Sequence, residues 1–260
     1  MTLKEQVVAI HQPNFLPWLG FFHKIYQSDI FILLDNVPFT KSGYQNRVKI
    51  KSAQGEQWLT VPVLTKGRFG QLTSQVPINA NTHWGKAHTA TLRTNYQRAP
   101  YYEEIYGWLE PLYRKAQPHL AAFNLSLIEA ILRYLKLSAN LIMASSLVFE
   151  GSGPELLLQL VQLADGQVYL SGPSGRDYLD TSIFELAGIK IEFQQFYHPI
   201  YPQLYGDFMP GLSILDALMN IGPVQTMHLL QRNVCPDQNA IMAPDPNLLC
   251  QTQSEPTVGV

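Results

Sequence analysis

Four consecutive apolar residues, Val7-Val8-Ala9-Ile10, stop abruptly at His11-Gln12-Pro13. A run this short, mostly β-branched and closed by a proline, reads as a buried strand. Pro13 and Pro17 then bracket a loop, and Trp18 to Tyr26 has a helical look. Asp29-Ile30-Phe31-Ile32-Leu33-Leu34-Asp35 is a second apolar run, too short for a typical helix. Strand, short helix and strand in succession predict a βαβ unit and hence a parallel sheet.

Arg47 to Lys51 alternates with period two, and Trp58-Leu59-Thr60-Val61-Pro62-Val63 follows across Ser52 to Gln57 around Gly55, the pattern of a β-hairpin. From about Thr82 to Ala144 the period changes: Leu120, Phe123, Leu127, Ile131 and Leu135 share a helical face. Two or three helices are expected here, with breaks near Pro100 and Pro118. A second βα region follows, with helix over 153–163, strand over 167–171, a Gly-Pro-Ser-Gly turn, and a strand over 189–193 after a helix that ends at Gly188. Helices over 213–220 and 223–231 complete the pattern. The expected fold is α/β, with a parallel or mixed sheet, a β-hairpin and a helical insertion in the middle of the chain. Residues 1–234 are expected to form a single domain with the insertion at about 82–144, and residues 235–260, polar and aperiodic, an irregular C-terminal tail.

Composition narrows the function. Hydrophobic residues make up 46% of the 260 residues and the net charge is -2, so a core is assured and the basic excess of a nucleic-acid binder is missing. No stretch reaches the roughly 18 apolar residues of a membrane span. A soluble, cytoplasmic protein without nucleic-acid partners is expected. The two cysteines, Cys235 and Cys250, supply neither a four-ligand zinc site nor a disulfide framework. No metal site is assigned, and the sequence names no cofactor and no oligomeric state.

Four clusters carry chemistry. His11, Gln12 and Asn14 follow the first strand, where ligands bind in open α/β sheets, and His11 can act as acid, base or neutral donor. Asn46, Arg47 and Lys49 belong to a strand on which Arg47, Lys49 and Lys51 share one face, suited either to an anion or to a solvated surface. Ser171 and Arg176 flank a Gly-Pro-Ser-Gly turn after a strand, a plausible anion cradle with neither a P-loop nor a dinucleotide fingerprint. His198, Tyr201, Gln203 and Tyr205 lie in a proline-rich aromatic stretch that can wall a sugar or base, or simply cover the core. Asp29 and Asp35 bracket the second strand, and Asp35 is able to face the same crevice as His11.

The segment Val8-Ala9-Ile10-His11-Gln12-Pro13-Asn14-Phe15-Leu16-Pro17-Trp18-Leu19-Gly20-Phe21-Phe22 resembles the opening signature of the WbqC-like family. Asp29 to Asp35, Gln45-Asn46-Arg47 with Lys49-Ile50-Lys51, and Trp58 to Val63 are similar to that family's pattern in the same order. So are Tyr169-Leu170-Ser171-Gly172 with Asp177-Tyr178-Leu179, and His198-Pro199 with Tyr201-Pro202-Gln203. The resemblance spans about Val7 to Leu230, while Pro38 and Gly43 stand where more polar residues are expected. The family takes its name from a protein encoded among genes for bacterial surface-polysaccharide synthesis. The resemblance implies modification of an activated sugar, such as a nucleotide-sugar, or a related small metabolite, and supplies no reaction; the polar clusters drawn from distant parts of a low-charge chain make a transferase acting on such an anionic molecule the leading expectation. A non-catalytic scaffold of polysaccharide assembly is the alternative from another class. A third reading is a nucleotidyltransferase of the HIGH type, by analogy of layout only, since Pro13 replaces the glycine of that motif.

Overall fold

The computed structural model describes residues 4–41 and 43–233. The expected tail from residue 235, with both cysteines, lies outside them. Five parallel strands form the main sheet: β1 (Val7–His11), β2 (Ile30–Leu33), β5 (Leu141–Met143), β6 (Val168–Ser171) and β7 (Lys190–Phe193), in the order β5-β2-β1-β6-β7. A separate antiparallel hairpin pairs β3 (Arg47–Ser52) with β4 (Gly55–Thr60). The helices are α1 (Leu19–Tyr26), α2 (Trp84–Tyr96), α3 (Tyr102–Arg114), α4 (Leu120–Leu135), α5 (Gly153–Leu163), α6 (Thr181–Leu186) and α7 (Ile214–Gln231).

Strand alternation divides the apolar residues into two cores. Ala9, Phe31, Leu33 and Leu170 face one side, where they meet α1, the hairpin, α2 to α4 and α7. Val8, Ile10, Ile32 and Tyr169 face the other, against Leu156, Leu160 and Val161 of α5 and Phe184 of α6. Because both faces are covered at β1, β2 and β6, these strands carry near-continuous apolar runs, whereas β7 at the edge alternates Lys190, Ile191, Glu192 and Phe193.

Two boundaries differ from the sequence reading. The helical region does not run to Ala144: Leu141 to Met143 is the edge strand β5, paired in parallel with Phe31 to Leu33. Three partly exposed residues at a sheet edge are too few to show any period, and the strong period of α4 runs up to them. The hairpin turn is also tighter, since Ser52 pairs with Gly55 and draws Glu56 and Gln57 into β4. Gly55, at φ 109°, occupies the conformation that this turn requires.

α7 is broken at Gly222, where φ is 73° and ψ 178°, just before Pro223. A Cβ at Gly222 would lie 2.4 Å from the ring of Tyr101, whose backbone N–H donates to Met219 O at 3.0 Å. Gly222→Ala is therefore expected to cost about 2–4 kcal/mol through ring displacement and left-handed strain. Thermal melting should show a fall of at least about 5 °C; an unchanged Tm would mean that the break is not fixed by this contact.

Candidate functional site

The strand order places a topological switch point between β1 and β6. The chain leaves β1 towards α1 on one face and leaves β6 towards α6 on the other, so the two connections part beyond the carboxyl ends of the strands, the place where open α/β sheets bind their ligands. His11 is the last residue of β1 and Ser171 the last of β6.

His11 is half-buried, with the edge of Phe21 at 5.0 Å from centroid to centroid. Its Nδ1 lies 2.9 Å from the carbonyl oxygen of Gln12. An acceptor at that distance makes Nδ1 the protonated nitrogen of the neutral ring, and the lone pair is then on Nε2. Behind the strand, the buried Lys24 donates from Nζ to Ile10 O at 2.9 Å. A lysine on the apolar helix α1 is a signal that the sequence reading passed over.

The loop after β1 is pinned on its far side. Asn124 of α4, fully buried, donates from Nδ2 to Pro13 O and to Gln45 O, both at 2.7 Å. Phe15 N–H donates to Tyr44 O at 2.9 Å. Within the loop Leu16 adopts φ 43° with its side chain wholly buried, a strained turn held by packing. Asn14 is buried in the same turn and Gln12 is half-buried. Asn46 donates from Nδ2 to Val61 O at 3.0 Å and lines a cleft of about 280 Å³ with Lys41, Thr60 and Thr65. The loops bearing His11, Gln12, Asn14 and Asn46 are thus joined through Asn124.

On the β6 side Ser171 is buried, and a Cβ at Gly175 would lie 2.1 Å from its Oγ, so the turn closes only over glycine. Arg176 is exposed, with its guanidinium 4.4 Å from the centre of the Phe193 ring. The opposite approach, at the N-terminus of α1, is roofed by Trp18. Its indole lies where a Cβ of Gly20 would stand, and Phe196 and His198 pack on it at 5.0 and 6.1 Å.

The second cluster does not act as one cationic face. Arg47 stacks on Trp58 at 4.4 Å, and Lys49 pairs with Glu56 at 2.7 Å. Lys51 is buried and donates to Gln203 Oε1 at 3.1 Å and to Asp207 O.

The fourth cluster serves the interior. His198 accepts at Nε2 from Gly211 N–H at 2.9 Å, and its other nitrogen faces Pro199 O at 3.3 Å. Burial lowers its pKa to about 4, so the ring is neutral near pH 7. Tyr201 donates to Asp216 Oδ2 at 2.9 Å, Tyr96 donates to Oδ1 at 2.8 Å, and Tyr205 donates to Asn95 O at 2.8 Å. Asp216 and Tyr96 escaped the sequence reading because each sits within an otherwise ordinary helical segment. Asp35, fully enclosed, accepts from Ser145 N–H and Oγ at 2.8 and 2.6 Å and ties the end of β2 to the residues after β5. Among the described residues no group of three His, Cys, Asp or Glu side chains is arranged to hold a metal.

The model of the WbqC-like protein family matches residues 12–228. The chain belongs to that family. The match starts one residue past His11 and takes in every other candidate residue. A relative in Mycobacterium tuberculosis (strain ATCC 25618 / H37Rv), uncharacterized protein Rv1507c, is 41% identical over 217 residues, 83% of this chain and 94% of the relative. No solved structure matches the chain.

Proposed function

We propose that this WbqC-like protein is a transferase that binds an activated sugar, such as a nucleotide-sugar, or a similar anionic small metabolite in the crevice between β1 and β6. In this reading it works in the cytoplasm, in bacterial surface-polysaccharide synthesis. The observation that carries it is His11 at the end of the first strand, at the switch point, with an acceptor on Nδ1. In this reading the imidazole, oriented by that contact, acts as general base for an acceptor hydroxyl or amine. Gln12, Asn14 and Asn46 position the substrate, and Arg176 and Arg47 attract its anionic part.

Nucleotidyl transfer is a second reading, favoured by the strand order, which is that of doubly wound nucleotide-binding sheets. The scaffold alternative requires an exposed apolar patch on the segment 101–137. That segment contributes none of the large exposed apolar side chains among the described residues, because Ile105, Leu109, Phe123 and Leu127 face the core. No helix among the described residues is long and apolar enough to cross a membrane.

Thermal-shift titration with nucleotide-sugars, and with nucleoside triphosphates with and without magnesium, tests both enzymatic readings. A ligand at about a hundred times its Kd adds roughly 2.7 kcal/mol of stability. The expected result is a shift with a nucleotide-sugar that His11→Ala and Arg176→Ala weaken while remaining folded. A magnesium-dependent triphosphate shift favours the second reading, and a flat panel for well-folded protein overturns both.

A further inference from the structure

The loops joined through Asn124 hold a second, unusual feature. Gln45, Asn46 and Asn124 are 1%, 8% and 0% exposed, and four of their side-chain atoms have no hydrogen-bond partner among the described residues. These atoms are Oε1 and Nε2 of Gln45, Oδ1 of Asn46 and Oδ1 of Asn124. The amide orientations are fixed where they matter. Nδ2 of Asn46 donates to Val61 O, and Nδ2 of Asn124 donates to two carbonyls, so the oxygens are the atoms left over. Buried polar groups are almost always paired, because leaving one unpaired forfeits its hydration. Gln45, paired at neither end, is the extreme case. A carboxamide kept there does nothing for the fold that an apolar side chain of the same shape would not do better.

We propose that Gln45, Asn46 and Asn124 form a subsite for a neutral, donor-bearing group of the substrate, a hydroxyl or an amine. The inference rests on the transferase reading above and adds the class of group that the site accepts. Three amide oxygens against one amide NH2 group, with its two N–H bonds, make a lining that favours O–H and N–H donors. The same lining disfavours phosphate and carboxylate oxygens, which belong with the arginines. Asn124 bonds directly to Pro13 O, two residues along the chain from His11. The subsite therefore adjoins the loop that carries the proposed base.

The test uses the whole protein and its Gln45→Met variant, with D-glucose and D-glucosamine as probes in saturation-transfer NMR and with thermal melting of both proteins. Methionine removes both unpaired atoms and nearly keeps the shape. The variant is expected to melt about 2–4 °C higher than wild type and to lose saturation transfer to whichever probe the wild type binds. Transfer to glucosamine alone identifies an amine subsite, and transfer to both sugars a hydroxyl subsite. A variant that melts lower than or level with wild type shows the glutamine serving the fold and overturns the proposal. So does undiminished probe binding by the variant, or a wild type that binds neither probe. A nucleotide-sugar shift abolished in His11→Ala would still stand in each of those cases, so failure of the subsite is distinguishable from failure of the transferase reading.

Discussion

Replacing Asp216 with alanine is expected to cost about 3–5 kcal/mol and to lower Tm by roughly 10 °C or more. The carboxylate is wholly buried at the start of α7 and accepts from two phenols, Tyr96 and Tyr201. Lys51, buried beside Gln203, lies in its field. Alanine leaves two phenol donors unpaired and removes the charge that the buried ammonium faces. Asparagine keeps an acceptor for one tyrosine and offers a donor to the other, so Asp216→Asn should cost less, about 1–2 kcal/mol. The two substitutions also separate charge from hydrogen bonding through pH. Burial pushes the Asp216 carboxyl up to about 6, against the downward pull of the two tyrosines and Lys51. Between about pH 4 and 6 the folded protein then retains a proton that the unfolded chain has released. The contribution of this group falls as pH rises across that window, by on the order of 3 kcal/mol, and is level above it. Urea denaturation at pH 4, 5, 6 and 7 should show the difference between wild type and Asp216→Asn changing by that amount. Superimposable pH profiles, or an alanine variant as stable as wild type, would refute the account.

Acid should nonetheless unfold the protein, because three buried imidazoles act in the opposite direction. Burial lowers His23, His88 and His198 from the usual 6.5 to about 4. Their hydrogen bonds suit the neutral rings. Gln194 donates its amide N–H to His23 Nδ1 at 3.0 Å, and Gly211 N–H donates to His198 Nε2. Protonation would set N–H against N–H at both. As pH falls from 6.5 towards 4 the unfolded chain takes up these protons first, so stability is lost on the acid side. The loss is on the order of 3 kcal/mol for each histidine. Even after the opposing term from Asp216, the net loss rivals the whole stability of an ordinary domain. Near-UV circular dichroism followed from pH 7 to pH 4 should therefore record cooperative unfolding. A signal constant to pH 4 would contradict it.

Much of this fold was legible because local pattern and tertiary context agree. Val7 to His11 and Ile30 to Leu33 are buried on both faces, which is what their unbroken apolar runs imply. Gly188, with φ 72°, ends α6 where a glycine should. β5 was hidden because a three-residue edge strand has no period to read. The candidate site was legible in its first loop only. His11, Gln12 and Asn14 announce themselves by interrupting an apolar run, and Asn46 by standing at the head of a strand. Asn124, which joins these loops, occupies an ordinary position in an apolar helix, and its partners are 79 and 111 residues away. His198, Tyr201 and Gln203 show the converse. Residues that look like chemistry in sequence are consumed by their own surroundings, since a buried loop must satisfy its polar atoms by the same means that a binding site would use.

The order of the main sheet also has a cost in time. β1 leaves the ribosome well before its second neighbour, β6, which pairs Val168 with Val7 across about 160 residues of chain. The neighbour of β2 arrives only at Leu141. Until then an apolar strand pair has two open edges, the situation in which nascent chains are prone to misassociate. Long-range pairing of this kind also slows folding once the chain is released. The excursion between β2 and β5, which contributes Gln45, Asn46 and Asn124, thus delays completion of the sheet.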